Sequence, residues 1–187
     1  MKDINYISEK YRKYLLEVIF EEQKYYTVFG ADFSDNEIDK LLVGIDKNIL
    51  LFSTPEDLLA VIQKSTCHFD NKVLGEWAKE SFGIKSPYAI INFDVLSLSS
   101  IDLKDSQLFK TIYDTLGIVE DYSNQVSNEG LLNLLGKDVL SQFKDELSDY
   151  FIWSESKEFK ISVDVDMLLF YLNNIYKKVK EKITIHQ

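Results

Sequence analysis

YYTVFGADFSDNEIDKLLVGIDKNILLFSTPEDLLAVI, residues 25–62, is the stretch whose reading decides the fold. Its opening residues, YYTVFG (25–30), are aromatic and β-branched, types that suit a pleated, half-buried surface, and Gly30 ends the run. Two apolar runs, LLVGI and ILLFS, then flank Asp46-Lys47-Asn48. Turn-forming residues between apolar runs predict a hairpin. A competing signal lies just upstream, where Ser34-Asp-Asn-Glu37 has capping-box spacing ahead of Ile38, Leu41 and Leu42. That box argues for a short helix; the hairpin is preferred, with the box serving a single turn. The clearest local signal is Thr54-Pro55-Glu56-Asp57. Thr54 can cap, Pro55 suits the first helical position and the two acids complement the helix dipole, so DLLAVIQK follows as a helix.

Working outward, residues 4–23 read as one amphipathic helix, with Ile4, Ile7, Tyr11, Leu15, Val18 and Ile19 at helical spacing and Asp3 as its cap. Residues 71–82 predict another, with Val73, Leu74, Trp77 and Phe82 inward and Gly83 ending it. Ser86-Pro87 breaks the chain, and YAIINFDVL (88–96) reads as a buried strand. Beyond residue 103 the character is helical. Leu108, Ile112 and Leu116 predict a helix stopped near Gly117, and Leu131–Phe151 one or two helices with Gly136 as the break. FKISVDV (159–165) reads as a short strand. The last helix, Met167–Lys182, buries Leu168, Leu169, Leu172, Ile175, Tyr176 and Val179 and gathers Lys177, Lys178, Lys180 and Lys182 at its C-terminal end. The expectation is an α+β fold: a small, mainly antiparallel sheet with packed helices and a mostly helical C-terminal half. It forms a single domain over 1–187, within which a sheet-containing 1–100 and a mostly helical 101–187 make two subdomains; 97–106 is the best boundary.

The 187 residues carry 31 acidic and 21 basic side chains, a formal charge of −10. That excess argues against nucleic acid or an anionic membrane as partner. No apolar run approaches the 18 or so residues that span a bilayer. Cys67 is the only cysteine, which excludes an internal disulfide, and MKDINYISEKYRKY lacks the layout of a signal peptide. A soluble cytoplasmic protein is expected. Arg12 is the only arginine, so a phosphate-handling enzyme would have to rely on lysines and backbone groups.

Candidate chemistry is sparse. Cys67 and His68 are adjacent, and neighbouring side chains point apart, which disfavours a nucleophile–base dyad. His186 is expected to fray, and two histidines with one cysteine are too few for a standard zinc site. Asp164-Val-Asp166 alternates acids as magnesium-binding nucleotidyl- and glycosyltransferases do, but the upstream Gly-Ser turn is absent, and Asp166 as the cap of the last helix explains the pair. Glu155-Ser-Lys157 and Glu158-Phe-Lys160 match a nuclease triplet in surroundings too acidic for a nucleic-acid groove. Gly136-Lys137-Asp138 lacks the Ser or Thr of a phosphate loop, and Asp32, Ser34 and Asn36 start a calcium loop that Glu37 and Val43 do not continue. No cofactor is implied.

One constellation stands out. Between residues 120 and 166 the acids Glu120, Asp121, Glu129, Asp138, Asp145, Glu146, Asp149, Glu155, Glu158, Asp164 and Asp166 outnumber Lys137, Lys144, Lys157 and Lys160. Tyr122, Tyr150 and Trp153 are interleaved with them. Acids steer the encounter with a basic protein and aromatic rings anchor it. The candidate partner-binding set is therefore Glu120, Asp121, Tyr122, Asp145, Glu146, Asp149, Tyr150, Trp153, Glu155 and Glu158. The competing reading is a solvated acidic helix face over buried rings.

With its strand, hairpin and Ser-Thr-Pro-Glu-Asp helix entry over 25–62, the chain resembles the immunity proteins of bacterial polymorphic-toxin and contact-dependent growth inhibition systems. The likeness is structural and carries over no functional residue. It implies a non-enzymatic binding protein that neutralises a cognate, basic toxin domain by occluding its active site as an acidic mimic of the phosphate backbone. The alternatives are a metal-dependent transferase using Asp164 and Asp166, and an adaptor subunit of a complex.

Overall fold

The structure, a computed structural model, describes residues 4–64, 69–153 and 161–186, the side chains of Ile152 and Trp153 excepted. Packing divides the chain into two compact units, residues 1–91 with 182–187, and residues 92–181. The fold is α+β, as expected.

The first unit is built on a sheet. Helix α1 (Ile4–Tyr11) is followed directly by strand β1 (Lys13–Phe20), so the single helix expected over 4–23 is half strand. Arg12, with φ 48°, breaks the helix. The apolar spacing misleads because Leu15, Leu16, Val18 and Phe20 are all buried, and a strand buried on both faces loses its two-residue alternation. Strand β2 (Gln23–Asp32) pairs antiparallel with β1 from Lys13↔Gly30 to Phe20↔Gln23. The two-residue turn is Glu21-Glu22, both left-handed at φ 50° and 61°. Such a turn matches the strand twist but usually shows itself as Asn-Gly. Gly30, at φ 152°, is obligatory: a Cβ there would lie 2.1 Å from the carbonyl oxygen of Arg12.

The predicted reversal around Asp46 is present. Gly44 N–H donates to the Asn48 carbonyl at 2.9 Å, and Val43 bridges Ile49. Its two arms, β3 (Ile38–Leu41) and β4 (Ile49–Phe52), lean on β2 rather than forming a regular ladder with each other. The Ser34–Glu37 box makes no helix, only a turn in which the Ser34 N–H donates to the Asp32 carboxylate at 3.0 Å and the Glu37 N–H to the Asp32 carbonyl at 3.0 Å.

Thr54 caps α2 (Pro55–Lys64) as expected, its hydroxyl accepting the Asp57 N–H at 3.1 Å. Helices α2 and α3 (Asn71–Glu80) cover one face of the sheet, where Leu58, Leu59, Ile62, Leu74 and Trp77 pack on Leu15, Val28, Leu50 and Phe52. Phe82, expected inward, is 70% exposed because α3 ends before it. The run 88–96 is strand only in β5 (Ala89–Asn92); the Asn92 side chain then accepts the Asp94 N–H at 3.0 Å and turns the chain into a 3-10 helix, Phe93–Ser97. Strand β6 (Ile183–His186), unforeseen in the sequence, runs parallel to β4 and makes the sheet mixed, in the order β5-β1-β2-β4-β6 with β3 beside β2. His186 does not fray: its ring stacks on Phe52 with centroids 5.0 Å apart.

The second unit is helical. Helix α4 (Ser106–Val126) runs through Gly117, whose surroundings are open. A helix-interior glycine costs only about 1 kcal/mol, less than the packing of a long apolar face contributes. Helix α5 (Glu129–Leu135) ends at Gly136 as predicted, and α6 (Asp138–Trp153) follows. Helix α7 (Val165–Lys180) closes the unit. Phe109, Ile112, Leu116, Tyr122, Leu131, Phe143, Leu147, Leu168, Leu172 and Ile175 are fully buried and form its core. Of the strand expected at 159–165, residues 161–164 are not strand and the rest of its start lies outside the described residues. Among the described residues no helix is long and apolar enough to cross a membrane.

Candidate protein-binding face

Helix α6 buries Leu140, Phe143 and Leu147. Asp138, Gln142, Asp145 and Asp149, at spacings of four, three and four residues, share the opposite face and are exposed. Among the described residues neither Asp138 nor Asp145 has a cation partner. Asp138 and Gln142 also form one wall of a cleft of about 500 Å³. Gly136, Lys137 and Val139 lie on the same wall, and Asp164, Met167 and Tyr171 at the start of α7 form the other. The face combines a row of carboxylates with a recess that is partly apolar.

The sequence-derived candidates separate by burial. Asp145 and Asp149 are exposed and belong to the α6 row. Glu120, Asp121 and Tyr150 are half-buried; Glu120 is held 2.8 Å from the Lys144 ammonium, and the Tyr150 ring meets Phe151 edge-on at 5.0 Å. Tyr122 is a correction. Its ring is fully buried in the core of the second unit, because position 122 falls on the stripe of Ile112, Leu116 and Val119, so it cannot touch a partner. Trp153 as a side chain, Glu155, Glu158, Cys67 and His68 lie outside the described residues.

Glu146 takes a structural role. Its carboxylate accepts the Ser162 N–H at 3.0 Å, the Ser162 hydroxyl and the Gln142 amide at 3.0 Å, fastening the chain ahead of α7 to α6. Partial burial opposes its ionisation, but the donors from Ser162 and Gln142 outweigh that cost and hold its carboxyl below the usual range. Of the suggested metal pair, Asp164 is the cap of α7, accepting the Met167 N–H at 3.0 Å, and Asp166, expected in that role, sits exposed in the first turn. Among the described residues no three acidic, histidine or cysteine side chains gather as a metal site requires.

Sequence reading counted Asp138 among the surface acids but left it out of the candidate partner-binding set, and it passed over Met167 and Tyr171. The signal was present: Met167, Phe170 and Tyr171 fall off the α7 stripe of Leu168, Leu172, Ile175 and Val179.

No known family's sequence model matches the chain, and no curated protein sequence matches it. Among solved structures, the crystal structure of the SatS C-terminal domain in complex with bromine is similar, with a TM-score of 0.63 over 96% of each chain and 9% sequence identity. That likeness shows the fold.

Proposed function

We propose that the chain is a non-enzymatic, cytoplasmic binding protein that neutralises a basic bacterial toxin domain, laying the carboxylates of α6 across the groove where the toxin takes its substrate. The observation that carries this reading is the exposed row Asp138, Asp145 and Asp149 on one helix face. Carboxylates about a helical turn or two apart offer a basic groove the repeating negative charge it is built to receive. The net charge of −10 supports long-range steering of such a partner. The alternative, a metal-dependent transferase using Asp164 and Asp166, has less support, because Asp164 caps α7.

The test is to look in the neighbouring reading frame for a large secreted protein with a basic C-terminal domain, and to co-express that domain with this chain. The reading expects a stoichiometric complex and restored growth of a toxin-expressing bacterial host. Growth arrest that persists with this chain in excess, and no complex on size exclusion, would reject it.

A further inference from the structure

Helix α7 carries a second set of apolar residues outside its buried stripe. Met167 is 43% exposed and Phe170 57%. They are neighbours on the helix surface at a spacing of three. The Phe170 ring meets Tyr171 edge-on at 5.3 Å, and Met167 and Tyr171 wall the cleft against Asp138 and Gln142. The three side chains thus form one apolar strip on the second unit. Carboxylates border it: Asp138 across the cleft with Asp145 further along α6, and Asp164 and Asp166 at the start of α7. Among the described residues that line the cleft, Lys137 is the one cation.

We infer that this strip seats a basic amphipathic helix of the partner, its apolar face on Met167, Phe170 and Tyr171 and its lysines or arginines over Asp138, Asp145 and Asp166. The inference rests on the reading above that the partner is basic, and it names the segment of that partner and how it docks. A helix is favoured because side chains spaced three and four apart on α7 present a ridge that another helix's groove accepts. Cations are favoured because the border of the strip is carboxylate on both helices, where a second acidic segment would meet like charge. An anchor of aliphatic or aromatic side chains accounts for the exposure of Phe170, which charge steering alone does not need.

The probe is a fluorescently labelled synthetic peptide of leucines and lysines patterned as a basic amphipathic helix, titrated into the full chain and followed by anisotropy. Two control peptides replace its leucines with serine or its lysines with glutamate. Two variants, Met167→Gln with Phe170→Ser, and Asp138→Asn with Asp145→Asn, change exposed side chains, and circular dichroism confirms their fold. Binding by the parent peptide is expected, weakened about tenfold or more by the first variant, as loss of an interface anchor does. The second variant should weaken it and flatten its salt dependence, and both control peptides should bind poorly. The inference is overturned if the parent peptide does not bind, if the serine peptide binds as well as the leucine one, or if the first variant binds like the wild type. Should it fail in one of these ways while the toxin domain still associates through the α6 carboxylates, the docking mode falls and the binding function stands. If neither the peptide nor the toxin domain responds to the α6 change, both fall.

Discussion

The ammonium of Lys13, buried in β1, lies 2.9 Å from the carboxylate of Asp70 at the entrance to α3. Asp70, left-handed at φ 45°, makes no side-chain cap to its own helix. Its carboxylate instead serves Lys13, which also donates to the Ala31 carbonyl and faces the rings of Phe33 and Phe69 at 4.8 and 5.6 Å. Removing one partner of a buried ion pair leaves the other uncompensated, at about 3–5 kcal/mol. Lys13→Met is therefore expected to lower stability by about that much in urea denaturation. Adding Asp70→Leu should recover much of the loss. A single Lys13→Met variant as stable as the wild type would show that the pair does not hold α3 to the sheet.

Gly30→Ala should be among the most damaging single changes in the first unit. The added methyl would meet backbone, the Arg12 carbonyl at 2.1 Å, and a positive φ of 152° disfavours any side chain. Purified Gly30→Ala should melt well below the wild type, by several kcal/mol in denaturant titration, in the range of large steric and backbone defects. A wild-type melting curve would mean that β1 and β2 do not approach as described.

The Glu21-Glu22 turn offers a change of opposite sign. Both residues are left-handed, at φ 50° and 61°, conformations that Asn and Gly adopt more readily. Glu21→Asn with Glu22→Gly is expected to stabilise by about 0.5–2 kcal/mol, and denaturant midpoints measure it. A loss of stability would contradict the two-residue turn.

Glu146 sets an acid limb. Its carboxyl titrates lower when folded than unfolded, so its contribution is present above its ordinary value of 4.5 and is lost as pH falls through the depressed folded value. Glu146→Gln should lower the melting temperature at pH 7, and the gap from wild type should close as pH drops below 4.5. A gap independent of pH would assign the loss to packing rather than to the charge.

What could be read from the residues depended on how local the determining physics is. Thr54-Pro55 and Gly136 act through a few neighbouring backbone groups, and both mark element ends where expected. The strand at Lys13–Phe20 was hidden because its apolar residues are buried on both faces, so 15, 16, 18 and 20 fit a helix as well as a strand. Its companion turn carries Glu-Glu, which announces nothing. Strand β6 depends on a parallel partner, Ile49–Phe52, distant in sequence, and no local pattern reports such pairing. In the candidate face, the acidic content of 120–166 was visible, whereas the fate of each acid was not. Glu146 and Asp164 are spent on Ser162 and on the α7 cap, while Asp138 and Asp145 remain exposed. Tyr122 could have been excluded, since it continues the period of Ile112, Leu116 and Val119.

The most direct measurement is the association rate of this chain with the partner that the proposed function requires, a basic toxin domain sought in the neighbouring reading frame, at low and high salt, for wild type and Asp138→Asn/Asp145→Asn/Asp149→Asn. Electrostatic steering raises association about tenfold or more and is screened by salt. The account predicts that the wild-type rate falls steeply with salt and that the triple variant starts near the wild type's high-salt rate and changes little. A triple variant that associates as fast as the wild type at low salt, with the same salt dependence, would contradict it.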